Sequence, residues 1–158
     1  REAVKRYERI LDEKGLALSI EVADTGMSII SDRSKVERIF QNVLNNAIKF
    51  TSQGEIRIKA HPAADHSSIE FDVTDTGIGI EKNKMDSIFE PFQQVDTSSH
   101  RSFSGLGLGL TVARRMAELI GGMLEISSEA GKGTRVLMKF PSQASAATSL
   151  LTEQRKYG

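Results

Sequence analysis

The sequence predicts an α+β fold: a two-layer α/β sandwich whose mixed, mainly antiparallel, five-stranded sheet carries three helices on one face. Three observations predict it. Segments 33–50 and 108–119 repeat apolar residues at helical spacing. Short segments elsewhere alternate apolar and polar residues, as strands with one buried face do. The two kinds are interspersed without the regular strand–helix–strand repeat of a doubly wound parallel sheet.

Residues 1–14 read as a helix with Val4, Tyr7 and Leu11 on one face and Gly15 as its stop. So short a piece offers it little to pack on, and it is expected to be the end of a preceding helix or an interdomain linker. Leu16, Leu18, Ile20 and Val22 alternate as a strand, and residues 27–30 form a second, short one. Asp32 or Ser31 caps the helix over 33–50, where Val36, Ile39, Phe40, Val43, Leu44 and Ala47 share a face. Ile56, Ile58 and Ala60 make a strand, Pro62 to Ser67 a turn, and Ile69, Phe71 and Val73 the returning arm of a hairpin. A short helix covers 83–88, and the Ser- and Gln-rich residues 93–105 read as a mobile loop. The second long helix aligns Leu108, Val112, Met116 and Leu119 and ends at Gly121-Gly122. Strands over 123–128 and 134–140 close the domain, which is expected to span 15–141. Residues 142–158 are Ser-, Ala- and Thr-rich and read as a tail or linker.

Composition narrows the function classes. A chain of 158 residues with 39% hydrophobic and 27% charged residues suits one globular domain with its own core. Lys plus Arg and Asp plus Glu both number 21, so no global charge bias points to nucleic acid or to an acidic membrane surface. The chain has no cysteine, which excludes disulfides and thiolate metal sites. No apolar run approaches the roughly 18 residues of a membrane helix, and no signal peptide is expected in this stretch. The first residue is Arg1 rather than Met, so a fragment of a longer protein is expected.

Two glycine loops, Asp75-Thr76-Gly77-Ile78-Gly79 and Gly105-Leu106-Gly107-Leu108-Gly109-Leu110, each adjoin an amphipathic element. Glycine permits positive φ and lets backbone amides approach anionic oxygens, although most such loops are only turns. Asp75 continues the phase of Ile69, Phe71 and Val73. Two readings stand for it: a strand-end carboxylate turning into solvent, or a buried acceptor for a ligand N–H group. Thr134 is in phase with Val136, Met138 and Phe140, so it can place a hydroxyl beside that carboxylate, or can be an ordinary β-branched strand residue. Asn42, Asn46 and Lys49 fall within about 60° of arc on the first long helix, at the edge of its apolar stripe. Two carboxamides and an amine there can hold a hydrated magnesium ion and a phosphate, or can be a polar helix flank. Asn45 points further round, toward solvent. The second glycine loop runs into a helix N-terminus, whose free amides suit phosphate. Its spacing is not that of a dinucleotide fingerprint. Gly131-Lys132-Gly133-Thr134 is not a P-loop, because glycine stands where Ser or Thr must follow the lysine.

In order and spacing these segments resemble the catalytic, ATP-binding domain of sensor histidine kinases, a fold shared with gyrase, Hsp90 and MutL ATPases. Asn42-x-x-x-Asn46-Ala47-x-Lys49-Phe50-Thr51 is similar to the N-box, and Asp75-Thr76-Gly77-Ile78-Gly79 to the first glycine box. Phe89-Glu90-Pro91-Phe92 is similar to the F-box, residues 105–110 to the second glycine box, and Gly131-Lys132-Gly133-Thr134 to the last short motif. The likeness covers residues 16–141.

The resemblance implies ATP and Mg2+ as ligands. Asp75 would accept from the adenine amino group, with Thr134 nearby through water, and Phe50 would flank the base. Asn46 would bind magnesium, while Asn42 and Lys49 lie along the phosphates as the catalytic set with Asn46. Gly77, Gly79, Ile80, Phe92, Gly105, Leu106, Gly107, Leu108 and Gly109 would complete the nucleotide site, with 93–105 as the ATP lid. Two departures matter. Leu106 sits where many family members have Thr or Ser. Asn42 sits where hydrolytic relatives carry a water-activating glutamate, and an amide cannot take that proton. Slow ATP hydrolysis is therefore expected.

The resemblance further implies transfer of the γ-phosphoryl group to a histidine on a separate dimerisation domain, and thence to a response regulator receiver domain. His61, His66 and His100 lie on no helical pattern, so the chain is not expected to phosphorylate itself. A cytoplasmic location follows, with no nucleic acid partner and no direct membrane contact from this piece, whether or not the parent protein is anchored. Two alternatives stay open: a degenerate nucleotide- or partner-binding module, and an ATP-hydrolysing clamp of the same fold.

Overall fold

A computed structural model describes residues 5–23, 26, 28–89 and 109–142. The element order is α1 (Glu8–Lys14), β1 (Ala17–Val22), α2 (Arg33–Phe50), β2 (Glu55–Pro62), β3 (Ser68–Asp75), a 3-10 helix (Lys82–Ser87), α3 (Gly109–Leu119), β4 (Met123–Glu129) and β5 (Gly133–Pro141). The sheet runs β1-β2-β3-β5-β4. Only the β1–β2 pairing is parallel. A parallel pair of consecutive strands needs a crossover, and α2 supplies it.

Register explains why the sheet buries one face. Leu18 pairs with Ile56, Ile20 with Ile58, Ile58 with Val73, Val73 with Val136, and Val136 with Ile126. Side chains alternate along a strand, so these apolar residues all point to one side. There they join Ile39, Val43, Leu44, Ala47 and Ile48 of α2 and Ala113 and Ala117 of α3 in one core. Phe71 links the layers, edge-on to Phe40 at 5.0 Å between ring centroids and tilted against Phe140 at 5.9 Å. The other sheet face carries charges paired across strands, among them Lys139 with Glu70 and Lys59 with Glu21. The α+β architecture is the one the alternation predicts.

Several elements differ from the sequence reading. The N-terminal helix does find a packing partner, since Tyr7 and Leu11 are buried in the core. Of the strand expected over 27–30, the described residues 28–30 hold a single bridge, Ile29 to Ser142, and Ser142 is itself 1% exposed. Of the two caps the sequence offered for α2, Asp32 is the one observed, accepting from the Lys35 amide. The helix over 83–88 is a 3-10 turn. On α3 the buried seam is Ala113 and Ala117, whereas Leu119 is 64% exposed. Helical spacing weighted the large residues, whereas the fully buried positions of α3 are its small ones. Residues 1–4, 90–108 and 143–158 lie outside the described residues.

The C-terminal end of α2 holds two groups of opposite consequence. Lys14, at the end of α1, donates from Nζ to the carbonyls of Ile48 (2.5 Å) and Thr51 (3.1 Å). It thereby caps the helix with a cation at its negative end. Thr51 is fully buried, yet its hydroxyl has no hydrogen-bond partner among the described residues. Lys14→Met is expected to lower unfolding free energy by about 1–2 kcal/mol, because charge-assisted bonds are lost. Thr51→Val, which keeps the shape and removes the unpartnered hydroxyl, is expected to raise it by about 1 kcal/mol. Urea unfolding of both variants checks the opposite signs.

Candidate functional site

Asp75 ends β3 in the phase that buries Val73, and it is 8% exposed. Of its two sequence readings, the buried one is observed. Its Oδ1 accepts from the amides of Gly77 at 2.9 Å and Thr134 at 3.3 Å. Burial pushes the carboxyl above the ordinary aspartate value, and the Gly77 and Thr134 amides oppose that rise. Oδ2 receives no hydrogen bond from a described residue. The carboxylate is thus held by one oxygen and offers the other.

Three chain segments are stitched around this carboxylate by their backbones. The Ile78 amide donates to the Phe50 carbonyl at 3.2 Å, and Gly131 donates to the Ile78 carbonyl at 2.7 Å. The first glycine loop is thereby fixed between the end of α2 and the β4–β5 turn. Its glycines are required by protein, not by open space. A methyl on Gly77 would collide with the Phe50 carbonyl. Gly79 has φ 66° and lies against the Glu129 carbonyl, which a side chain would strike.

Thr134 stands opposite Asp75 in the β3–β5 register. The Thr134 amide bonds the carboxylate, and the Thr134 hydroxyl meets Ser128 Oγ at 2.9 Å. Ser128 also accepts from the Ile80 amide at 2.9 Å and donates to the Gly133 carbonyl at 2.8 Å. The sequence reading missed Ser128. The signal was there, since Ser128 continues the phase of Leu124 and Ile126, as Asp75 does that of Val73.

The second half of the cleft lies between α2 and α3. Asn42, Asn46 and Lys49 are half-buried on α2, while Asn45 is exposed. Gly109, the first residue of α3, faces both asparagines. A methyl built on it would lie 3.6 Å from Asn42 Oδ1 and 3.9 Å from both amide atoms of Asn46. The Asn42 Nδ2 group is buried without a hydrogen-bond partner among the described residues. Such an orphaned donor beside a helix N-terminus fits an anionic oxygen. Lys49 Nζ sits 4.9 Å from the Phe50 ring centroid. Thr111 donates its hydroxyl to the Phe89 carbonyl at 2.9 Å, and Arg114 stacks on the Phe89 ring at 4.4 Å, so the start of the F-box segment is tied to α3. Phe92, Gly105, Leu106, Gly107 and Leu108 lie outside the described residues, as does the segment 93–105 expected to be a lid.

A separate hollow of about 430 Å³ is lined by Phe89, Arg114, Glu125 and Arg135, among others. Its arginines are already ion-paired, Arg114 with Glu118 and Arg135 with Asp72. The described residues contain no group of three or more His, Cys, Asp or Glu side chains that could hold a metal unaided. No described helix is long and apolar enough to cross a membrane.

Known proteins share this fold. Residues 31–144 match the family described as histidine kinase-, DNA gyrase B-, and HSP90-like ATPase. The autoinducer 2 sensor kinase/phosphatase LuxQ of Vibrio cholerae is 41% identical over 141 residues, which are 85% of this chain and 16% of that protein. The chain therefore spans about a sixth of that relative's length. The full-length ShkA structure, solved in complex with AMPPNP, superposes with a TM-score of 0.78 at 30% identity, covering 90% of this chain and 29% of that one. The mycobacterial sensor histidine kinase MprB superposes with a TM-score of 0.73 at 27% identity, covering 89% and 94% of the two chains. With the matched segment running from the cap of α2 to the end of β5, the chain belongs to the histidine kinase-, gyrase B- and HSP90-like ATPase family, as a catalytic domain of the sensor histidine kinase type.

Proposed function

We propose that this chain binds Mg-ATP in the cleft between α2, the Asp75 loop and the N-terminus of α3, and donates the γ-phosphoryl group to a histidine on a separate dimerisation domain of the same protein. The observation that carries the reading is Asp75: a buried carboxylate with Oδ1 fixed by two backbone amides and Oδ2 left to accept from a ligand. An adenine amino group supplies the matching N–H donor. Phe50 and Ile80 border the base, and the phosphates run toward Gly109 and the second glycine box. There the orphaned Asn42 Nδ2 donates to a phosphate oxygen, and Lys49 adds charge.

The donor set also fits magnesium. Asn46 offers an amide oxygen at the mouth of the helix, and Mg2+ characteristically takes one or two protein ligands and completes its shell with phosphate and water. When bound, the ion would neutralise charge building on the phosphates. The protein's own share is positioning, which is most of what phosphoryl transfer needs. A histidine nitrogen then attacks the γ-phosphorus, the bond to the bridging oxygen breaks, and ADP leaves. Within this reading, residues 15–141 are the catalytic domain, residues 1–14 the end of a preceding helix or an interdomain linker, and 142–158 a C-terminal tail or linker. A receiver domain accepts the phosphoryl group downstream, on the cytoplasmic side where ATP is available.

Calorimetric titration with a non-hydrolysable ATP analogue, with and without Mg2+, tests the reading. Saturable binding strengthened by the metal is expected, and no binding in either arm overturns it.

Asp75→Asn is expected to weaken nucleotide affinity by at least about tenfold, because a donor replaces part of a buried acceptor. The same change is expected to raise the melting temperature of the ligand-free chain near neutral pH, since it removes a desolvated charge.

The pH dependence follows from the raised carboxyl. Folding holds the Asp75 proton more tightly than the unfolded chain does. Its stabilising contribution is therefore present below the unfolded value and lost as pH rises through the folded one. Ligand binding runs the other way, because an N–H donor favours the ionised form. Affinity is expected to fall as pH drops through the raised Asp75 value, with protons released on binding, and Asp75→Asn is expected to abolish this component.

Asn42→Glu is expected to raise basal ATP turnover several-fold by placing a proton acceptor where the amide stands. A phosphate-release assay compares it with the slow wild type.

A further inference from the structure

Ser128 lies at the base end of the cleft, and its hydroxyl has three partners at hydrogen-bond distance: the Ile80 amide at 2.9 Å, the Gly133 carbonyl at 2.8 Å and the Thr134 hydroxyl at 2.9 Å. A hydroxyl has one proton and two lone pairs. The Gly133 carbonyl can only accept, so it takes the Ser128 proton. The Ile80 amide can only donate, so it fills one lone pair. The Thr134 hydroxyl is left to donate into the other. Every hydrogen-bonding capacity of Ser128 is then used, and the single proton of Thr134 is committed to it.

We propose that Ser128 is a positioning residue for base recognition, acting by fixing the proton of Thr134 so that Thr134 Oγ1 faces the ligand as an acceptor only. The proposal rests on the reading of the cleft as an adenine nucleotide site, and it assigns that site a selectivity device beyond the carboxylate. Thr134 stands opposite Asp75 in the β3–β5 register. Between them, the ionised carboxylate and the lone pairs of Thr134 make this end of the pocket purely accepting. It receives a base edge bearing a 6-amino group, directly or through a water that donates to Thr134. A 6-oxo base, as in hypoxanthine or guanine, presents an oxygen there and finds no donor. Without the Ser128 hydroxyl, Thr134 regains a free proton and can serve a carbonyl oxygen.

The test is calorimetric titration of the 158-residue chain with ADP and with IDP, both with Mg2+, for the wild type, Ser128→Ala, Thr134→Val and the double variant. Ser128→Ala is expected to narrow the preference for ADP over IDP by about fivefold or more, the size of one hydrogen-bond term. Ser128→Thr, which keeps the hydroxyl, is expected to restore the preference. In the Thr134→Val background, Ser128→Ala is expected to change the ADP-to-IDP ratio by less than about twofold, because the group it acts through is gone.

An equal loss of affinity for both nucleotides in Ser128→Ala overturns the proposal, because it marks a merely structural anchor for the Ile80 amide. So does a narrowing of the ratio that persists undiminished with Val at position 134. If Ser128→Ala does not fold, Ser128→Cys, with a weaker acceptor of similar volume, carries the same expectation at smaller size. Wild type that binds ADP while its variants keep full selectivity sinks this proposal alone. Wild type that binds neither nucleotide sinks the reading of the cleft and this proposal with it.

Discussion

The cleft depends on one carboxylate that the sheet buries and the backbone holds. Asp75 lies where β3 meets β2 and β5, facing Ile56 on one side and Thr134 on the other. Strand phase drives its side chain inward, and desolvation makes that costly. Two amides, from Gly77 and Thr134, offset part of the cost by donating to the same oxygen. Those bonds have a structural consequence. The Gly77 amide can reach back only if the chain turns sharply after the strand, and the turn brings the loop against the Phe50 carbonyl. From there the Ile78 and Ile80 amides and the Ile78 carbonyl join it to α2, β4 and the β4–β5 turn. The geometry of the base end is set by main-chain hydrogen bonds, so it exists before any ligand arrives. Preorganisation of this kind spares binding the entropy of ordering the site.

The other end of the cleft is set by different forces. α2 and α3 pack on one another, Ala113 and Ala117 of α3 are fully buried in the shared core, and Gly109 at the start of α3 stands beside the two asparagines of α2. Thr111 and Arg114 then tie α3 to the Phe89 segment. A larger residue at 113 or 117 would push the helix N-terminus away from Asn42 and Asn46, although neither alanine touches the cleft. The phosphate end of the proposed site is therefore a product of helix packing, and the base end a product of sheet register. The two share a single element, α2, whose side carries Asn42, Asn46 and Lys49 and whose last residue supplies the Phe50 carbonyl. Lys14 fastens the end of that helix to α1.

This division explains what could be read from sequence. Period-two alternation is a property of a strand alone, so the core-facing phase of Asp75 and Thr134 was legible without knowing any neighbour. The arc shared by Asn42, Asn46 and Lys49 was legible for the same reason. What failed depended on partners. Leu119 matched the helical stripe but is exposed, because the fully buried seam of α3 falls on Ala113 and Ala117. Tyr7 and Leu11 looked surplus because nothing in their own segment shows that the domain has a place for them. The phase that sets Thr134 opposite Asp75 was legible, but the bond from its hydroxyl to Ser128 was not. Ser128 had the right phase and was passed over, since a serine at a strand end is unremarkable until three partners converge on its oxygen.

The buried carboxylate also shows how stability and recognition are set against each other. A domain selected only to fold has no use for an ionised group at 8% exposure, with one oxygen satisfied and the other open. An asparagine or threonine there would cost less to bury. What the carboxylate adds, when ionised, is an acceptor that cannot become a donor. Asparagine can present either an oxygen or an amino group, and threonine can rotate its proton toward a ligand carbonyl. Only the charged form commits the site to one polarity. The Ser128 network extends the same logic to Thr134, whose ambiguity it removes by occupying the proton. Selectivity then comes from groups denied the freedom to adapt, and the destabilisation carried by Asp75 is the physical counterpart of that commitment.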